Sequence, residues 1–304
     1  MDYREVYDEH GDFLWGYCYR LTGSAADAED LVQETFVRAI ERPPEDTDRP
    51  WRPWLVRVAT NLRHDLWRKQ KLREYKGPWL PSPVETDGDG RRRIEAGLDA
   101  EGRYQILESV SFAFLLALEA LTPQQRAVLL LRDVYDYSVR ETAEALDLSE
   151  ANVKTTHHRA RSAMESYDGR RQPPGREISE RTKKALERFV QCFMKADAKA
   201  MEELLAEDVQ SIHDAGGEFI AAGIPVTGRE KVALFYSRVL PDAGEVLHTR
   251  FTTLNGLPGI LVERPGAPEG LARRWAYTIE LDDDGRIRRT YAVLATAKLT
   301  ALAF

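Results

Sequence analysis

The chain has 304 residues, 43% of them hydrophobic and 31% charged, with a formal net charge of −7. That length suffices for two or three domains, and the composition excludes a disordered or fibrous chain. No apolar run approaches the ~20 residues of a membrane span, the acidic start MDYREVYDEHGDF lacks a signal-peptide core, and Cys18 and Cys192 lack metal spacing, so a reduced cytoplasm without membrane contact is expected.

Residues 2–20 place Val6, Tyr7, Phe13, Leu14, Tyr17 and Cys18 at helical intervals. Gly23-Ser24 interrupts them, and Ser24 can cap a second helix to about Glu41, with Ala28, Leu31, Val32, Thr35, Phe36 and Ala39 inward and Asp27, Asp30, Glu34, Val37 and Glu41 outward. Residues 27–48 carry eight acids against two Arg. This acidic stripe reads as a docking face for a basic protein or as solubilising charge. Pro43-Pro44 ends the helix. A third helix follows in WLVRVATNLRHDLWRKQKLRE, burying Leu55, Val58, Ala59, Leu62 and Leu66. Trp54, Arg57, Asn61, His64, Asp65 and Arg68 share another face, and residues 57–76 carry seven Lys or Arg against two acids. Such a face can stack an unpaired base, bond its edge and hold the backbone by charge. Trp51 and Trp54 fit a core equally well.

Residues 77–103 are rich in Pro and Gly and read as a linker in which Trp79 and Leu80 must dock on something. ILESVSFAFLLALEA then predicts an amphipathic helix. Residues 121–165 read as a helix-turn-helix. Thr122 caps, Pro123 fits the first helical position and Gln125 completes a capping box. A second helix spans about Val139 to Leu146, and Ser149 caps a third. On the third, Val153, His157, Ala160 and Met164 face inward, opposite Lys154, Thr155, His158, Arg159 and Ser162. That outer face suits a DNA major groove, or is a solvated basic surface. The negative total does not exclude DNA, because the local patch governs binding.

Pro173-Pro174-Gly175 marks the next boundary. Two helices, the strand VQSIHD, a third helix from Gly228 and four alternating strands follow, with Asp284-Gly285 as a hairpin turn between the last two. This is an α+β pattern. His213, Asp214, His248, Trp275 and Tyr277 are candidates to line its interior, but strand alternation lets at most one of His213 and Asp214 point in. No acid–base pair is specified, so no catalytic residue is assigned. No metal site or phosphate-binding Gly loop appears, so no cofactor is implied.

Three stretches in order, CYRLTGSAADAEDLVQETFVRAIE, RPWLVRVATNLRHDLWRKQK and LTPQQRAVLLLRDVYDYSVRETAEALDLSEANVKTTHHRAR, resemble extracytoplasmic-function RNA polymerase sigma factors. The resemblance implies that Asp27, Asp30, Gln33 and Glu34 dock on the β′ clamp helices of core polymerase. It implies that Arg57, Asn61, His64 and Arg68 melt and read the minus-ten element, with Asn61 at the flipped-out base. Lys154, Thr155, Thr156, His158 and Arg159 would read the minus-thirty-five element, with the polymerase β flap as a further partner. His157 stands where the family has an apolar residue, which makes it a packed, hydrogen-bonded histidine. WLPSP resembles the Trp-Leu-Pro linker of members with an extra C-terminal domain, with Ser82 where an acid is usual. IHDAGGEFIAAGIPVTGREKVALFY, LNGLPGILVE and RIRRTYAVL resemble the SnoaL-like cone, although the family's acidic C-terminal signature is not evident.

The expected architecture is multidomain: sigma region 2 over 1–76, a linker over 77–103, the helix-turn-helix of region 4 over 104–170, both domains all-α, and an α+β SnoaL-like domain over 178–304. The expected function is an alternative sigma factor, not an enzyme. Its fused domain would modulate activity in place of a separate anti-sigma factor. A ligand-sensing one-component transcription factor explains the third domain equally well but not the first, and an isomerase or hydrolase on a DNA-binding anchor needs a titratable pair in the cone.

Overall fold

The computed structural model describes residues 3–44, 50–70, 75–98, 103–238 and 248–304, without the side chains of 64–70 and 89. It divides into two units, Met1–Glu74 with Thr86–Pro173, and Tyr75–Glu85 with Pro174–Phe304.

The described part of the first unit is helical. Helices α1 (Tyr3–Thr22), α2 (Ala25–Glu41) and α3 (Trp51–Gln70) pack on one another. The Ser24 side chain accepts the Asp27 amide and starts α2, which buries the predicted stripe from Ala28 to Ala39. In α1 every residue from Phe13 to Thr22 is buried, a wider surface than one apolar stripe, because later helices also cover it. The expected linker contains a helix, α4 (Gly88–Glu95). Its Arg91 pairs with Glu95 one turn on, and Arg93 reaches Glu29 and Asp12. The helix expected over ILESVSFAFLLALEA is divided: a 3₁₀ turn occupies Glu108–Val110, and Ser111 caps α5 (Phe112–Leu118) by accepting the Phe114 amide.

The helix-turn-helix forms from α6 (Pro123–Asp133), α7 (Val139–Leu146) and α8 (Glu150–Asp168). Thr122 with Gln125 makes the predicted capping box, and Ser138 with Glu141 makes a second. Asp147 ends α7 in the left-handed region, and Ser149 caps α8. Val128, Ala143 and Val153 form a small core between the three helices.

Two buried arginines tie this motif to α1. Arg20 of α1 is fully buried. It donates to the carbonyls of Gly16, Ile94 and Ile106, to Ser109 Oγ at 2.8 Å and to the Tyr135 hydroxyl. Each hydrogen bond to a charged donor contributes about 1.5–3 kcal/mol, so together they can offset a desolvation cost of several kcal/mol. In return Arg126 of α6 donates to the carbonyl of Leu21, at the C-terminal end of α1, and to that of Leu118.

The second unit contains α9 (Arg176–Met194), α10 (Ala198–Leu204), β1 (Leu205–Asp214), β2 (Val226–Thr227), α11 (Arg229–Arg238), β3 (His248–Leu254), β4 (Leu257–Glu263), β5 (Arg274–Leu281) and β6 (Ile287–Val293). The sheet order is β2-β1-β6-β5-β4-β3, with β1 parallel to β6 and the other pairs antiparallel. Leu186, Phe189, Val232 and Tyr236 of the helices pack on Ile260, Tyr277 and Ile279 of the strands. Asn255-Gly256, both with positive φ, turn β3 into β4 in the manner of a two-residue hairpin loop. Asp284-Gly285 lies between β5 and β6 as predicted, with Gly285 at φ 81°. The two-residue β2 is too short to leave a periodic signal.

Residues Tyr75–Glu85 belong to this second unit. Asp214, fully buried, accepts the Leu80 amide at 2.8 Å, the Tyr75 hydroxyl and the Lys298 ammonium. Lys298 also donates to the Leu80 carbonyl and stands 4.5 Å from the Trp79 ring centre and 4.7 Å from that of Tyr75. Val84 exchanges two hydrogen bonds with Asn255: its amide to Oδ1 at 2.9 Å and its carbonyl from the Asn255 amide at 3.0 Å. Glu85 then takes a two-pronged bond from Arg250, whose guanidinium lowers the Glu85 pKa. The docking that Trp79 and Leu80 required is therefore supplied by the chain itself.

Candidate functional site

Lys154, Thr155, His158 and Arg159 are exposed along α8, opposite the fully buried Val153, Ala160 and Met164. Thr156 departs from the expected groove-facing set. It is 9% exposed, and its hydroxyl donates to Asn152 Oδ1 at 3.0 Å. At roughly 100° per residue, the third position after Val153 and the fourth before Ala160 falls in the inward row. His157 is partly buried, with Nε2 3.0 Å from a carboxylate oxygen of Asp133. Arg161 donates to both oxygens of the same group at 3.1 and 2.6 Å. Burial alone raises a carboxyl pKa, but His157 and Arg161 outweigh it and hold Asp133 below its usual range. His157 thus fixes α8 on α6 and leaves the outer face to its neighbours.

On α3, Trp51 is buried and meets the half-buried Trp54 edge to face at 5.8 Å, which makes Trp51 core. Asn61 is exposed and borders a groove of about 500 Å³ with Trp54, Val58, Glu34 and Arg38. Arg57 is turned elsewhere: it donates to the Glu144 carbonyl of α7. His64 and Arg68 lie on α3, but their side chains fall outside the described residues. On α2, Asp30, Gln33 and Glu34 are exposed and Asp27 is partly covered. Glu34 pairs with Arg38 at 3.1 Å, and Val37 and Ile40 are exposed at 45% and 59%. Apolar residues inside an acidic row suit a protein partner.

In the second unit His213 points into the buried cluster with Ser211, Tyr236 and Tyr277, while Asp214 turns to the linker. The alternation expected for β1 separates them. His248 is exposed on β3, and Trp275 packs on the rim of the core. Among the described residues, no group of three His, Cys, Asp or Glu is placed to hold a metal. Nor is any described helix long and apolar enough to cross a membrane.

The sequence reading missed Arg20, Arg126 and Lys298. A lone Arg within the apolar run YCYRLT and a lone Lys within TAKLTALAF were the available signals.

Comparison with known proteins matches residues 6–73 to Sigma-70 region 2 and residues 111–164 to Sigma-70 region 4. The ECF RNA polymerase sigma factor SigJ of Mycobacterium tuberculosis is 30% identical over 303 residues, covering 94% of this chain and 90% of that protein. The chain belongs to the extracytoplasmic-function RNA polymerase sigma factors. The sigma factor SigL of the same species is 37% identical over 165 residues, 53% of this chain and 85% of SigL, so that likeness takes in only part of the present sequence. The crystal structure of SigJ superimposes with a TM-score of 0.72 at 27% identity and covers 98% of both chains, which extends the likeness to the SnoaL-like second unit. This sigma factor binds RNA polymerase and recognises promoters. A stand-alone helix-turn-helix regulator has no use for region 2, so that alternative falls away.

Proposed function

We propose that the exposed edge of α8 reads the minus-thirty-five element through Lys154, Thr155, His158 and Arg159. Thr156 acts behind them through Asn152. Asn61 and the groove beside it take the flipped-out base of the minus-ten element, with His64 and Arg68 along the same helix holding the strand and Arg57 joining them once it leaves the Glu144 carbonyl. Asp27, Asp30, Gln33 and Glu34 dock on the β′ clamp helices, and region 4 meets the β flap. The protein works in the cytoplasm and performs no covalent chemistry of its own. The second unit modulates this activity through Tyr75–Glu85, in place of a separate anti-sigma factor.

The observation that carries the DNA reading is that Lys154, His158 and Arg159 stand exposed on the outer face of α8 with no ion pair to any described residue, while Arg161 is neutralised by Asp133. The observation favouring modulation is the hold of Asp214 and Lys298 on the linker. Run-off transcription on sheared genomic DNA tests both, using core polymerase with the full chain and with its Asp214→Asn variant. Promoter-specific transcripts are expected with the full chain, at a level that changes when the linker is loosened. Silence with an otherwise active polymerase would sink the assignment, and equal transcription by the two proteins would sink the modulating role.

A further inference from the structure

Within the first unit, the seam between the first three helices and the helix-turn-helix has two unlike halves. On the α1 side its charges are met. Arg20 donates to carbonyls and hydroxyls, and Arg126 donates to the Leu21 and Leu118 carbonyls and to Glu119 Oε1 at 2.8 Å. Tyr135 adds edge contacts to Phe13 at 5.5 Å and Tyr17 at 5.8 Å.

On the α3 side the charges are not met. Arg57 donates to the Glu144 carbonyl, but its Nε is buried without a hydrogen-bond partner. Arg63 has both Nε and Nη1 buried without one. It shares the inward row of α3 with Val56, Ala59 and Thr60, and lies about 200° round the helix from Asn61. Burial, and after it the Arg126 charge, lower the Arg63 pKa against the opposing pull of Asp27 and Glu119. A guanidinium does not shed its proton near neutral pH, so the cost of these unmet donors stays in the seam.

The same packing keeps the two reading helices together. α7 touches both α3 and α8. With helices about 10–12 Å across, the α8 edge lies within roughly 25 Å of α3. The minus-ten and minus-thirty-five elements are about 25 base pairs apart, roughly 85 Å of B-DNA at ~3.4 Å each. Region 4 must therefore leave α3 before one molecule reads both elements, and until then Arg57 is engaged by Glu144.

We propose that Arg63 is the release element of an autoinhibitory seam: an unpaired guanidinium that keeps region 4 weakly joined to α3, so that parting relieves its burial and frees Arg57. The inference rests on the assignment of α3 and α8 to the two promoter elements. Apparent affinity for the minus-ten strand scales with the fraction of open molecules, so Arg63 governs promoter binding without touching DNA.

The test compares the full chain with its Arg63→Met variant. Replacing an unpaired buried charge by an apolar side chain strengthens a seam, whereas replacing a well-bonded arginine weakens it. Dyes on Glu5→Cys in α1 and Ala163→Cys in α8, both exposed positions, report separation by single-molecule energy transfer in a Cys192→Ser background, Cys18 being buried. Anisotropy reports binding of a minus-ten single strand from a promoter found by run-off transcription. Arg63→Met should raise the melting temperature, reduce the long-distance population about tenfold and weaken strand binding by the same factor. Excess strand should enlarge the long-distance population of the unsubstituted chain. A lower melting temperature or an unchanged distance distribution would overturn the proposal. So would weaker strand binding at unchanged distances, which would make Arg63 a DNA contact. A strand that fails to bind the unsubstituted chain would refute the assignment of α3 instead, and the distances would still decide for or against the seam. Arg63→Leu serves if Arg63→Met fails to fold.

Discussion

Arg20 in the first unit and Asp214 in the second each bury a charge to hold a segment distant in sequence, but by different means. Arg20 binds carbonyls and hydroxyls and has no acid within its hydrogen-bonded set. Asp214 is matched by Lys298. A guanidinium fans out five donors in a plane and can satisfy carbonyl ends from several chain segments without a counter-charge. A carboxylate at a strand end has fewer neighbours to draw on and is stable there with an ammonium beside it. The first arrangement makes a core; the second makes a clasp that two side chains control.

Arg20→Met should have the largest effect. Removing the donors leaves buried carbonyls unsatisfied, and a loss of about 3–5 kcal/mol is expected in urea unfolding of the first unit. A loss below 1 kcal/mol would mean that Arg20 is a passenger in the core. Asp214→Asn should act locally. It should speed amide exchange at Leu80 roughly 30-fold, about 2 kcal/mol, while leaving the exchange of α1 unchanged. Equal effects of the two variants on both segments would erase the contrast. Asp133 offers a third case, a buried acid held by the Arg161 guanidinium with the His157 imidazole beside it. Its folded pKa lies below the unfolded value. Its contribution is therefore complete above the unfolded pKa of about 3.9 and is lost as pH falls through the lower folded value. Acid unfolding of the helix-turn-helix should move to higher pH in Asp133→Asn, and an unchanged acid midpoint would contradict the pairing. The smallest expected effect is that of Lys154→Ala. It should lower the salt dependence of promoter binding by about one unit of slope if Lys154 meets phosphate, or relax base preference if it meets a base edge.

Much of the first unit was readable because its signals are local. The caps at Ser24, Thr122 and Ser149 and the inward stripe of α2 stand at the predicted positions. Thr156 escaped because Thr suits either side of a helix, and only packing against the small helix-turn-helix core places it inward. The α4 helix hid within a Pro- and Gly-rich stretch because what holds it is far away in sequence: Ile94 is buried as α4 packs on α1, and Arg93 lies over the Trp15 ring and reaches Glu29 and Asp12. In the second unit the strands and their turns were visible, and so was the opposition of His213 and Asp214. What Asp214 holds was not, since Tyr75, Leu80 and Lys298 come from both ends of the chain. The buried contacts among Ser211, Tyr236 and Thr290 were equally hidden, because Ser and Thr within strands carry no distinctive pattern.

The linker clasp has both halves on one polypeptide, so its opening is a first-order event. A separate inhibitor occupies its target according to its own abundance, and its effect drifts with dilution and expression level. An intrachain contact does not drift: the open fraction is the same in a cell holding ten copies or ten thousand. A gap of a few kcal/mol keeps roughly 0.1–10% of molecules open at any moment. For the modulating role proposed above, the set point would be written into the side chains at 75, 80, 214 and 298.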